Sequence, residues 1–179
     1  MSLDQKNILI CLTLKKYLSK DTIQEIIKFY SQQLYESLYI FLKDIASCHI
    51  CKDRYMNDHN RKCIIEYQDT HNPLCFDQIE FLDLSLLNLK EIPCEISLLQ
   101  NLSHLGLSGN NLINLPATLS DMMKLKELLL GYNKFQKVPI VLYKMKWTRF
   151  YLGGNPLKEL PCILRKQIVS YPNNVPWIE

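Results

Sequence analysis

Between residues 79 and 164 the hydrophobic positions return with the same internal spacing four times. The four stretches are IEFLDLSLLNLKEIPCEISLLQN, LSHLGLSGNNLINLPATLSDMMK, LKELLLGYNKFQKVPIVLYKMK and WTRFYLGGNPLKELPCIL, starting at Ile79, Leu102, Leu125 and Trp147. Each opens on an alternating pair: Leu82 and Leu84, Leu105 and Leu107, Leu128 and Leu130, Phe150 and Leu152. That period of two predicts a short strand with one face inward. A second inward set follows at Leu89, Leu112, Phe135 and Leu157, then at Ile92, Leu115, Val138 and Leu160. A third set lies in a return segment opened by Pro93, Pro116, Pro139 and Pro161, whose rings fix φ there: Ile96, Leu119, Leu142 and Leu164, with Leu99, Met122 and Met145. One unit cannot bury these groups alone, but four stacked units can, and each buried side chain is worth about 1.5–3 kcal/mol.

One polar position recurs inside this pattern. Asn110, Asn133 and Asn155 stand at the ninth place of their units. A buried amide there can satisfy backbone groups where the chain leaves the strand, and each group left unpaired would cost about 1–3 kcal/mol. Leu87 holds the place in the first unit, so that end of the ladder is predicted to be irregular.

Upstream the period changes. From Thr22 the apolar residues Ile23, Ile26, Ile27, Tyr30, Leu34, Leu38, Phe41, Leu42 and Ile45 are spaced by threes and fours, which predicts a helix to about Ala46, with Ser19 or Asp21 as its cap. Residues 4–18 predict a shorter helix, and residues 63–67 a strand extending the sheet. Residues 1–72 hold no Gly and no Pro, so we place a boundary at Asn72–Pro73: a helical N-terminal region, 1–72, and a repeat region with its closing segment, 73–179. Cys162 to Ser170 is expected to close the array as a helix with Ile163, Leu164 and Ile168 inward, and Trp177 and Ile178 to fold back over the last unit.

The four units resemble the leucine-rich repeat family, in its class of 22–23-residue repeats, over residues 79 to about 164. The resemblance implies an α/β fold: a leucine-rich repeat solenoid with parallel strands on its concave face. We read the N-terminal helices as a cap, since a repeat array needs its open end covered. The family's usual activity is binding another macromolecule on that face, and it leaves the partner unnamed.

Charge and composition narrow the classes. The 179 residues are 47% hydrophobic with a net charge of +3. Residues 1–72 carry 10 basic and 9 acidic residues, and residues 73–179 carry 11 and 9, so neither half has the basic excess of a nucleic-acid binder. No stretch has the 18 apolar residues of a membrane span. Ile8 to Leu14 is a short apolar run without a small-residue cleavage site after it. With seven cysteines and no paired flanking set, the expectation is an intracellular, cytoplasmic protein.

Two N-terminal motifs carry sharper alternatives. Cys48 and Cys51 form C-x-x-C, and His59 and Cys63 follow as H-x-x-x-C. These four could hold a closed structural zinc, with His71 or Cys75 as a substitute ligand; otherwise no cofactor is implied. A redox role for the pair is the related reading. Residues 17–30, YLSKDTIQEIIKFY, loosely resemble the start of an F-box, with Ser19 where that family has Pro. On that resemblance Leu18, Ile23, Ile26 and Ile27 would face the scaffold of a cullin ubiquitin ligase, and the chain would be a substrate adaptor.

The strand residues opposite the core form the candidate partner-binding face: Phe81, Asp83, His104, Glu127, Leu129, Arg149 and Tyr151, with Tyr132 just past its strand. Leu129 and Tyr151 are apolar or aromatic where the core does not need them, flanked by Glu127 and Arg149, like a small interface with a charged edge. The same two charges could instead pair across neighbouring strands. Catalysis has little support: His104 has Asp83 and Glu127 near it, with no nucleophile and oxyanion donor implied. Cys94 and Cys162 follow repeat prolines and are expected to pack inward. The sequence therefore predicts a non-catalytic protein-binding module.

Overall fold

A computed structural model describes residues 19–47, 67–146, 148–170 and 176–178. Helix α1, Lys20–Ser47, covers and slightly exceeds the predicted helix. Ser19 caps it: its Oγ accepts from the Thr22 N–H at 3.1 Å. The helix engages the rest of the molecule mainly from Gln32 onward. Leu38, Tyr39 and Leu42 are buried and α1 packs on the segment Cys94–Leu98, while Tyr35 stacks on Phe76, ring centroids 6.1 Å apart. Tyr30, expected on the inward face, is exposed, because the first half of α1 extends past that contact. Ile26 is half-buried. Leu18 and the side chains of Ile23 and Ile27, on which the F-box resemblance also depends, lie outside the described residues.

Tyr67 sits in a helical turn at residues 67–70, where the strand over 63–67 was expected; residues 63–66 lie outside the described residues. Its ring is fully buried between Tyr39 and Phe76, with centroids at 5.3 and 4.8 Å. Gln32 Nε2 donates to its hydroxyl at 3.2 Å. Asn72 then turns the chain: its Oδ1 accepts from the Leu74 N–H at 3.1 Å and opens a 3₁₀ turn, Pro73–Gln78.

From there the structure repeats as the sequence does. Four three-residue strands, β1 (Phe81–Asp83), β2 (His104–Gly106), β3 (Glu127–Leu129) and β4 (Arg149–Tyr151), lie parallel in chain order. Register follows the repeat: Leu82, Leu105, Leu128 and Phe150 stand side by side, and all are buried. Each return segment is a 3₁₀ turn behind a proline: Cys94–Leu98, Ala117–Asp121 and Ile140–Lys144, with proline φ of −65°, −64° and −56°. One hydrophobic cluster runs from Leu38 of α1 through all four units to Ile168.

The asparagines tie neighbouring units together. Asn133 Oδ1 accepts from Leu112 N–H at 3.0 Å, and its Nδ2 donates to the carbonyls of Leu107 and Leu130 at 2.8 and 3.1 Å. Asn155 bridges the third and fourth units in the same way. Asn110 serves the first unit, accepting from the N–H groups of Leu87 and Leu89, both at 3.0 Å. The expected irregularity is there: Asn88 has φ +57°, and its equivalents Asn111 and Lys134 do not share the left-handed conformation.

The exit differs from the expected closing helix. After the short 3₁₀ turn Cys162–Leu164 the chain forms β6, Ile168–Ser170, a fifth parallel strand against β4. Ile168 and Val169 are β-branched and fit a strand better than a helix. Leu164 and Ile168 are buried as expected, but Ile163 is exposed. Before that turn, β5 (Leu160–Pro161) pairs with β7 (Trp177–Ile178), so the tail does return to the last unit, and the Arg165 guanidinium lies over the Trp177 ring. Cys94 and Cys162 are exposed, contrary to expectation. They open their 3₁₀ turns, and the equivalent Ala117 and Ile140 face solvent too. No helix among the described residues is long and apolar enough to cross a membrane.

Candidate partner-binding face

A strand of three residues sends its middle side chain to the core and its first and third to the other side. The outward first column, in register, is Phe81, His104, Glu127 and Arg149; the third is Asp83, Gly106, Leu129 and Tyr151. The structure therefore brings the predicted face residues together, with Tyr132 three residues beyond Leu129.

Within the first column Phe81 and His104 are stacked, centroids 4.2 Å apart and planes 11° from parallel. Ser103 Oγ is 2.7 Å from His104 Nδ1, while Nε2 is 3.7 Å from Glu127 Oε2. Glu127 thus leans toward His104 and not toward Arg149; among the described residues no ion pair joins Glu127 to Arg149. The row Ser103–His104–Glu127 holds the residue types of a hydrolytic triad, but its geometry is wrong for one. The Ser103 hydroxyl donates to the Glu80 carbonyl at 3.0 Å, which leaves Nδ1–H as the donor to Ser103, so His104 cannot draw a proton from that oxygen.

In the third column Asp83 folds over its neighbour. Its Oδ1 accepts from the Ser85 N–H at 3.0 Å and lies 2.3 Å from where a Cβ on Gly106 would stand, so a side chain at 106 would displace the Asp83 carboxylate. Beyond it, Leu129 is 37% exposed and adjoins the half-buried Tyr151.

The turn after each strand holds a feature the sequence reading passed over. Leu86, Gly109, Tyr132 and Gly154 occupy one repeat position, and all four have positive φ: +59°, +68°, +53° and +73°. Left-handed backbone costs a non-glycine residue about 1–2 kcal/mol. Leu86 lies over Gly109 and Tyr132 over Gly154, each filling the space a Cβ would need. Both side chains remain largely exposed, Tyr132 at 75%. The signal was available as two large residues alternating with glycine at a single repeat position.

Among the described residues no three of His, Cys, Asp and Glu cluster as a metal site. The proposed ligands Cys48, Cys51, His59 and Cys63 lie outside the described residues. Cys75 is buried with its Sγ donating to the Asn72 carbonyl at 2.8 Å, and His71 rests against Tyr67.

No protein-family model matches the chain, and no curated protein matches it. Among solved structures it is similar to a leucine-rich repeat protein of Leptospira interrogans, with 33% identity over 47% of this chain and a TM-score of 0.40. The matched region is 21% of that protein, so this chain spans about a fifth of its length.

Proposed function

We propose that the chain is a non-catalytic protein-interaction module of leucine-rich repeat type. In this reading the five-stranded sheet is the concave side of a short solenoid and receives a partner protein. α1 closes one end, and β6 with the β5–β7 pair closes the other. The observation that carries the reading is the adjacency of Leu129 and Tyr151 on the solvent side of a sheet whose core is already complete. The part of their apolar surface that stays exposed lies outside the core, and a small apolar centre with a charged surround is the usual anatomy of an interface. Tyr132 supports it further, since a large exposed aromatic is kept where the backbone favours glycine, and strain of that kind gathers at functional positions.

The test is capture of a partner from cell lysate by the full chain and by a Leu129→Arg/Tyr151→Asp variant. The partner should be captured by the first and lost with the second, while the thermal midpoint moves by no more than about 2 °C. Capture that survives the double substitution would place binding elsewhere.

A further inference from the structure

The near-neutral total hides a separation of charge along the array. Residues 79–101 hold four acidic side chains and one basic, a net of −3; residues 102–124 hold one of each, a net of 0. Residues 125–146 hold five basic and one acidic, a net of +4, and residues 147–170 hold four and one, a net of +3. All nine of these cations are exposed. The acidic residues among them do not neutralise them, since no lysine or arginine among the described residues forms an ion pair within 4 Å and Glu127 lies by His104 instead. Strands in a sheet are about 4.8 Å apart, so β1 and β4 are separated by about 14 Å. That exceeds the Debye length of about 8 Å at physiological salt, so the acidic entry does not cancel the field at the basic exit.

The basic end coincides with the apolar patch. Arg149 stands beside Glu127 in register and two residues before Tyr151. Its N–H bonds the Lys126 carbonyl at 2.7 Å, and the Tyr132 N–H bonds the Gly153 carbonyl at 2.8 Å. Lys134 follows Tyr132 by two residues and is exposed. Along the chain and in register, Lys126, Lys134 and Arg149 are thus the cations nearest Leu129, Tyr132 and Tyr151, with Glu127 among them turned toward His104.

We infer that this end of the sheet binds a short acidic segment of a partner protein, with an aliphatic or aromatic side chain seated between Leu129 and Tyr151. The inference rests on the binding face proposed above and adds the chemistry of its occupant. Carboxylates would meet the three cations, and the apolar side chain would cover the patch. A nucleic acid fits less well. A long polyanion laid across the strands would run onto Glu80 and Asp83 at the entry, and the centre of the basic end is the aliphatic Leu129.

The test uses the full chain and four labelled probes: a 12-residue Asp/Glu peptide with one central Phe, its Asn/Gln counterpart, its Lys counterpart, and a 12-nucleotide single-stranded RNA. Affinity is read by fluorescence polarisation and location by amide chemical shifts. The acidic peptide should bind at least about tenfold tighter than the neutral one, weaken as salt rises, and shift the amides of Leu129, Tyr132 and Tyr151. Arg149→Glu with Lys134→Glu should remove that preference without changing the melting temperature. Equal binding of acidic and neutral peptides, tighter binding of the Lys peptide, or tighter binding of the RNA would each overturn the inference. If the acidic preference is absent while Leu129→Arg/Tyr151→Asp still loses its lysate partner, the occupant is wrong and the face stands. If the acidic peptide binds undiminished to that double variant and shifts no amide of the sheet, the face itself is wrong.

Discussion

In β2 and β3 the middle residues, Leu105 and Leu128, are identical and fully buried. The residues beside them on the solvent side, His104 and Glu127, share only their register. The same contrast holds along the array. Inward places take Leu, Phe, Ile, Val or Met, and the one polar inward place takes Asn three times. Outward places take Phe, His, Glu, Arg, Asp, Gly, Leu and Tyr. The inward residues answer to the backbone of the neighbouring unit, which is the same each time. The outward residues contact one another, as Phe81 does His104 and Asp83 does Ser85, but no repeating backbone partner holds their identity from unit to unit.

Breaking an inward place should cost most. Asn133→Ala strands the Leu112 N–H and weakens two buried carbonyls, so urea unfolding should show a loss of about 2–5 kcal/mol, against about 0.5 kcal/mol or less for Glu127→Ala. Equal losses would erase the distinction between the two sides. The left-handed turn position tests the boundary between them. Gly154→Ala forces a Cβ to within 2.5 Å of the Tyr132 ring at φ +73° and should cost about 2–3 kcal/mol by thermal melting. Adding Tyr132→Gly should remove the clash, and the strain it relieves at 132 (φ +53°) offsets the strain added at 154, so the double variant should recover most of the loss. A double variant no better than the single would mean that the ring does not lie there.

A smaller effect sits at the junction of α1 with the array. Burial pushes the Tyr67 hydroxyl up to about 12, helped by the Glu36 carboxylate. A phenol raised in the folded state keeps its full contribution below the unfolded value near 10 and loses it as pH climbs toward 12. Stability should therefore fall across that window, and Tyr67→Phe should flatten the fall. An unchanged slope would show that Tyr67 ionises as freely folded as unfolded. The smallest effect on stability is expected for Leu129→Arg, within about 0.5 kcal/mol by urea unfolding; a loss of several kcal/mol would make Leu129 part of the core.

The inward side was legible because its period is long and its chemistry narrow. Strand register, a return segment behind each proline and the Asn ladder all follow from spacings that only a stacked arrangement satisfies; that the returns are 3₁₀ turns was not in the spacing. The exit was less legible. Leu164 and Ile168 are four apart, which suits a helix, and the β-branched pair Ile168–Val169 that favours β6 was outweighed by that spacing. Cys94 and Cys162 were misplaced because each follows a proline on the inward path, yet the first residue of a 3₁₀ turn points out. On the outward side the columns could be read from alternation alone. Partnerships could not: Glu127 has His104 and Arg149 on either side, and only the side-chain positions show that it leans to His104.

The central claim is that the outward side at Leu129 and Tyr151 is where a partner sits. The most direct measurement places a photo-crosslinking amino acid at position 129 in one full-length sample and at position 123 in another. Met123 is more exposed than Leu129 but lies at the end of a return segment. Irradiation with partner present should give a crosslinked product from position 129 and none from position 123. Crosslinking from position 123 alone would contradict the account.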